Sequence, residues 1–282
     1  MKRLGWVLAW LGATICLSAV LTPLAVWLVE AVAPGQVPVR RIFNRCLLGS
    51  ALLLGWPFLR HLGIRSWRDV GWSGSWGGGL QQFGWGALGG MMVFGGLWLV
   101  AVMVGGRTAI VWPGWGMIGW SLLFALLVGL IEETVFRGVL FLALVRDRGA
   151  VPPVAVVNAV LFASVHFFKA PDVATQVTWT TGFEIWAGML AGAWMAGEAL
   201  WRWGALAFLS LAMAGLVWRS GRLWSAAGAH AGLVLAMKLM VGSSTGTSGI
   251  VGALWGSDGI SGPVPLVAAA LGAVWIWRGK WR

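Results

Sequence analysis

The chain lacks tyrosine altogether and is poor in charge. Of its 282 residues only 10% are Asp, Glu, Lys or Arg, and only nine are acidic. Soluble domains are about a quarter charged, so this scarcity excludes an ordinary soluble globular protein. Two cysteines, Cys16 and Cys46, both in apolar segments, imply no disulfide framework. Three histidines, His61, His166 and His230, are each followed by Leu, Phe or Ala. None therefore opens the His-Glu-x-x-His pattern of a zinc protease. The aspartates Asp69, Asp147, Asp172 and Asp258 fall outside the apolar runs, which excludes an intramembrane aspartyl pair. Ser164 and Ser225 lie near histidines, but neither sits in a nucleophile motif.

What is present is apolar. Hydrophobic residues make up 59% of the chain, and the mean hydropathy is +0.83. The sequence predicts an all-α, polytopic transmembrane bundle forming one integral membrane domain over residues 1–282. Candidate spans lie near 5–29, 46–62, 80–104, 116–145, 151–168, 183–201, 203–219, 222–241 and 263–279. A spanning helix needs ~20 residues, so the shorter of these are marginal and the expected count is about eight. The first span has a basic start and an Ala31-Val32-Ala33 triplet like a cleavage site. It is too long for an ordinary signal peptide and reads as an uncleaved helix.

Loops are expected at Pro34–Pro38, Gly71–Gly79, Pro152-Pro153 and Gly242–Gly262. The stretch Arg60–Trp72 mixes Arg, Trp and apolar residues and is expected to lie along the membrane interface. The net charge of +11 reads as Lys and Arg at membrane edges rather than as a nucleic-acid footprint. The 23 tryptophans cluster near segment ends, as an interfacial belt requires. The basic residues choose no single orientation. Arg60, Arg65, Arg68, Arg146 and Arg148 compete with Arg40, Arg41, Arg219, Arg222, Arg278, Lys280 and Arg282.

Three charges interrupt the run Gly116–Val145: Glu132, Glu133 and Arg137. Even lenient scales put the cost of an ionised side chain at the bilayer centre at ~2.5–3.5 kcal/mol, so these groups face protein or water. Residues on a helix advance about 100° each, so Glu133 and Arg137 at i,i+4 share a face. Glu132, about 100° away, can face a different group. A buried Glu133–Arg137 pair would fix the helix face and leave Glu132 for general-base work. A purely structural ion pair is the competing reading. His166 lies in VVNAVLFASVHFF, with Phe162 one turn and Asn158 two turns before it. His230 lies in LWSAAGAHAGLVLAMK, a small-residue helix suited to close packing. Imidazole can orient water, donate to an oxyanion or bind metal. Two glutamates and two histidines in three apolar helices thus suggest peptide hydrolysis by activated water.

Glu184 and Glu198, at opposite ends of the segment 183–201, read as interfacial carboxylates. The alternative, a polar conduit, would make this a proton-coupled transporter. No inverted repeat supports that reading.

Three motifs in order carry a resemblance. Glu132-Glu133-Thr134-Val135-Phe136-Arg137 fits EExxxR, Phe162-Ala163-Ser164-Val165-His166 fits FxxxH, and His230 opens HxxxV in place of HxxxN. Together they resemble the CPBP (or ABI) family of CAAX prenyl endopeptidases and bacteriocin-processing membrane proteases, over a catalytic core of about 116–238. The resemblance implies an all-α membrane fold of about eight helices around a polar cavity. It implies an endopeptidase in which Glu132 is the base, Glu133 and Arg137 support it, and His166 and His230 position water or stabilise the oxyanion. Phe162 and Asn158 are candidate substrate-binding residues on the His166 helix. No cofactor is expected; zinc held by Glu132, His166 and His230 is the alternative. The implied substrate is a membrane-anchored protein or peptide, and the implied location is a bilayer, by composition the bacterial plasma membrane. Nucleic acid is not an expected partner. Val234 stands where the family has Asn, a potential oxyanion donor, so a catalytically inactive relative acting as a membrane scaffold is a further alternative.

Overall fold

A computed structural model describes residues 2–108, 111–142, 144–145, 151–172, 176–192 and 197–279. Arg146, Asp147, Arg148, Lys280 and Arg282 lie outside the described residues. The chain forms α1 (Lys2–Val32), α2 (Val39–His61), a 3-10 turn (Trp67–Val70), α3 (Trp76–Met103), β1 (Arg107–Thr108) and α4 (Gly114–Glu133). A π-helical stretch (Thr134–Phe141) continues α4. Then come α5 (Val151–Val165), α6 (Thr181–Gly192), α7 (Gly197–Ser220), α8 (Trp224–Gly242), β2 (Thr245–Gly246), α9 (Gly249–Trp255) and α10 (Pro263–Arg278).

The all-helical polytopic expectation holds, but the count of about eight spans does not follow. Six described helices are long and apolar enough to cross a membrane: Gly5–Val32, Val39–His61, Trp76–Met103, Gly114–Phe141, Glu198–Ser220 and Trp224–Gly242. The apolar helices Val151–Val165 and Pro263–Arg278 are shorter. Two other details differ from the sequence reading. Pro152-Pro153 open α5 rather than mark a loop, since proline is tolerated where the first helical N–H groups have no partner anyway. The Gly242–Gly262 stretch contains α9 and also β2, which pairs antiparallel with β1. Within Arg60–Trp72, α2 runs to His61 and the 3-10 turn follows. There Ser66 and Asp69 cap each other, Ser66 N–H donating to Asp69 Oδ2 at 2.7 Å. Of the expected span 183–201, residues 193–196 lie outside the described residues; Glu184 sits in the first turn of α6 and Glu198 in the first turn of α7.

The chain divides into two compact units. The first comprises Met1–Arg65 and Ser164–Met195. In it, α1 packs on α2 and α6. Phe43, Ile185 and Met189 form its buried centre, and the Trp186 indole donates to Ser18 Oγ at 3.1 Å. His61 is exposed and lies against Trp6, ring centroids 3.9 Å apart.

The second unit comprises Ser66–Ala163 and Ala196–Arg282. Its centre is α8, packed against α3 on one side and α4 on the other. Small residues permit this. A Cβ on Gly228 would collide with the Phe83 carbonyl of α3, and one on Gly232 with the Ala87 carbonyl. On the other flank, a Cβ on Gly129 of α4 would lie 2.7 Å from the Ala227 carbonyl. Helices whose backbones approach this closely gain van der Waals contact in lipid, where apolar burial alone drives little association. The C-terminus of α8 is tied down by Arg107, whose Nε donates to Ser244 Oγ at 2.8 Å and Nη2 to the Ser244 carbonyl at 3.1 Å. Burial holds the Arg107 guanidinium below its ordinary pKa, partly offset by Asp258.

Candidate active site

α4 delivers two consecutive carboxylates to its C-terminal end, and the π-helical stretch delivers a guanidinium one turn on. Thr134 begins that stretch. Its hydroxyl donates back to the Leu130 carbonyl at 2.6 Å and accepts the Trp72 indole N–H at 2.9 Å. Back-bonding of this kind loosens the i→i−4 ladder, and single π turns recur at functional sites.

Glu133 and Arg137 are both 0% exposed and form an ion pair, Oε1 to Nη1 at 2.9 Å. The guanidinium has further partners. Its Nη2 reaches the Ser210 carbonyl of α7 at 3.4 Å, and its Cζ lies 4.4 Å from the centre of the Phe162 ring. A charge taken out of water is tolerable only when paired and hydrogen-bonded in this way, and a desolvated cation–π contact adds to the pairing.

His230 comes from α8, six residues into the helix. Its Nδ1 is 2.8 Å from Glu133 Oε1, the oxygen that also meets Arg137. Its Nε2 is 3.9 Å from Glu132 Oε2. That distance exceeds a hydrogen bond and is one a water molecule can bridge. The two glutamates therefore differ in surroundings: the Glu132 side chain is 28% exposed, Glu133 not at all.

α5 closes the group from a further side. Phe162 is 1% exposed and sits edge-on to the His230 ring at 5.9 Å and to the Phe136 ring at 5.0 Å. Asn158 is fully buried, and its Nδ2 donates to the Phe136 carbonyl in the π-helical stretch at 2.7 Å. Neither residue offers a surface of any size to a substrate in this arrangement.

Of the five residues expected to act, the second unit brings together Glu132, Glu133, Arg137 and His230. The fifth, His166, belongs to the first unit, half-buried in the turn that follows Val165. Val234, one turn after His230 on α8, is half-buried. Sequence reasoning missed the Ser210 carbonyl, the Trp72–Thr134 bond and the Phe136 carbonyl. Two of these involve main-chain oxygens, which carry no residue signature, and the third rests on a tryptophan among many.

Zinc would need three or four donors around one point. Among the described residues no group of three or more His, Cys, Asp or Glu side chains is placed to hold a metal ion. Glu133 Oε1 is already engaged by Arg137 and His230.

Glu184 and Glu198 lie apart from this cluster. Glu184 accepts from Thr180 Oγ1 at 2.6 Å, and Glu198 from Ser257 Oγ at 3.2 Å, both in exposed positions. Carboxylates in the first turn of a helix complement its dipole, which accounts for both without a conduit.

No curated protein and no solved structure matches the chain. A family model does match, over the segment that holds Glu132, Glu133, Arg137, His166 and His230. Residues 113–236 match the model of the type II CAAX prenyl endopeptidase Rce1-like family, in agreement with the resemblance carried by the three motifs.

Proposed function

We propose that the chain is an intramembrane endopeptidase that hydrolyses a peptide bond of a membrane-associated protein or peptide with water activated by Glu132. One observation carries the reading: of two adjacent carboxylates, one is locked in a buried ion pair while the other faces His230 Nε2 across 3.9 Å. A general base needs an accessible lone pair near the proton it takes. The Glu132 side chain is partly exposed, with Oε2 turned inward to His230, whereas Glu133 is fully buried in its ion pair.

The chemistry follows from the placement. Glu132 takes a proton from a water lying between its carboxylate and His230. The hydroxide oxygen attacks the substrate carbonyl carbon, and the carbonyl π pair moves onto oxygen. Glu132 returns the proton to the amide nitrogen as the C–N bond breaks, giving a carboxylic acid and an amine. Glu133, accepting from His230 Nδ1–H, holds the imidazole so that Nε2 faces the reaction. Arg137 holds Glu133 in place. His166 enters this scheme from its motif, as a second group that positions water or stabilises the oxyanion. With Val234 in place of Asn, no amide donor is available at that point of α8.

The reading is metal-free, and the engagement of Glu133 by Arg137 supports it. The test is cleavage of a pooled library of membrane-anchored peptides by the protein in liposomes, with and without a chelator. Cleavage indifferent to chelator is expected. Loss with chelator and recovery with zinc would replace the glutamate-base account with a metalloprotease. No cleavage of any library member would favour an inactive relative.

A further inference from the structure

Asn158 and Phe162 sit one turn apart on the same face of α5, and both touch the helix that carries the glutamates. Phe162 lies against the Arg137 guanidinium. Asn158 does something different: its amide reaches a main-chain oxygen, that of Phe136, inside the π-helical stretch. In a regular α-helix four residues turn through about 400°, which would leave Arg137 about 40° past Glu133. A π turn closes i→i+5 bonds and so turns less per residue. Glu133 and Arg137 meet at 2.9 Å with neither exposed, which i,i+4 spacing allows in a regular helix too; what the π turn changes is the direction Arg137 takes towards its other partners, the Ser210 carbonyl and the Phe162 ring. A π turn is also the less favoured form of the backbone, found mostly as single insertions. Something must hold it.

We infer that Asn158 is a positioning residue: its hydrogen bond to the Phe136 carbonyl holds the π-helical register that places Arg137 against the Ser210 carbonyl and the Phe162 ring, where it anchors Glu133 and so aims His230. The link runs through contacts already described. Phe136 lies between Glu133 and Arg137 in the chain. Its carbonyl is pinned at 2.7 Å by a side chain that is itself fully buried. Glu133 in turn holds His230 Nδ1 at 2.8 Å. If the stretch relaxed to a regular helix, Arg137 would turn away from the Ser210 carbonyl and the Phe162 ring, and the imidazole would lose the fixed carboxylate that orients it. This role replaces substrate binding as the reading of Asn158, and it rests on the proposed protease chemistry for its kinetic consequence only.

The test compares Asn158→Leu, which keeps the volume and removes the donor, with Asn158→Asp. A buried Asp side chain favours its neutral form and can donate its carboxyl proton to the Phe136 carbonyl. In the peptide-cleavage assay, Asn158→Leu should lower kcat about 100-fold, the scale expected for misplacing a reacting group by about 1 Å. KM should stay within about twofold, because substrate contacts are untouched. Asn158→Asp should keep kcat within about tenfold of wild type, a difference of ~1.4 kcal/mol. If Asn158→Leu does not fold, Asn158→Ala takes its place.

A second readout does not depend on activity. With phenylalanine labelled by carbon-13 at its carbonyl, the infrared difference spectrum of wild type against the Leu or Ala variant should show one carbonyl band shifted to higher frequency. Wild-type kcat in the non-donor variant, equal losses in the Leu and Asp variants, or an unchanged carbonyl spectrum would each overturn the inference. Retained cleavage in Glu132→Gln would instead overturn Glu132 as the base and leave the infrared result to speak for the clamp.

Discussion

His230 Nδ1 and Arg137 Nη1 meet the same oxygen of Glu133, at 2.8 Å and 2.9 Å. That oxygen joins a cation fixed within one helix to an imidazole brought by another. It makes the orientation of His230 depend on an ion pair that touches no substrate. The chain of contacts Arg137, Glu133, His230, Glu132 therefore runs from a fully buried end to a partly exposed one.

The buried end should behave as structure. Glu133→Gln and Arg137→Ala each leave one fully buried charge without its partner, which typically costs about 3–5 kcal/mol. Both variants should give a lower yield of folded protein and a lower melting temperature, measured by thermal unfolding in detergent. Wild-type stability in both would show that the pair is not the support described here.

The helix contact beneath His230 should tolerate no side chain. Gly232→Val places a branched side chain against the Ala87 carbonyl of α3, so α3 and α8 must separate. Overpacking of this kind costs about 1–3 kcal/mol or more. The expected result is loss of monodisperse protein in size-exclusion chromatography, whereas Gly89→Val, at a position with nothing within 4 Å, should remain monodisperse.

Val234 offers a gain-of-function test. It lies one turn beyond His230 on α8, and an amide there can donate to a developing oxyanion. A single such donor is worth about 100-fold or more where it is optimally placed. Val234→Asn should raise kcat by about tenfold or more, read from initial rates of peptide cleavage. An unchanged rate would mean that another donor already serves the oxyanion.

Much of this was legible in the sequence, and the reasons differ by feature. Long apolar runs with Pro and Gly at their ends located α1, α3, α4 and α8, because a helix in lipid must be apolar around most of its surface. The i,i+4 spacing of Glu133 and Arg137 foretold their pairing, because helix periodicity alone sets which side chains are neighbours. The short helix α9 was not legible: GIVGALW lies in a Gly- and Ser-rich stretch that reads as a loop. The π-helical stretch was not legible either. TVFRGVLF has no composition that favours i→i+5 bonds, and what accompanies it is tertiary, the Asn158 amide on one side and the Trp72 indole on the other. The bond of Asn158 to the Phe136 carbonyl was not legible for the same reason: its partner is a main-chain oxygen of another helix. His166 read as lying inside the span 151–168, but α5 ends at Val165.

The central claim is that Glu132 is the base. Glu132→Gln preserves shape and size and removes only the ability to take a proton. Single-turnover cleavage of one membrane-anchored peptide should fall about 1,000-fold or more, with an unchanged melting temperature and unchanged peptide binding. Cleavage within about tenfold of wild type would contradict the account.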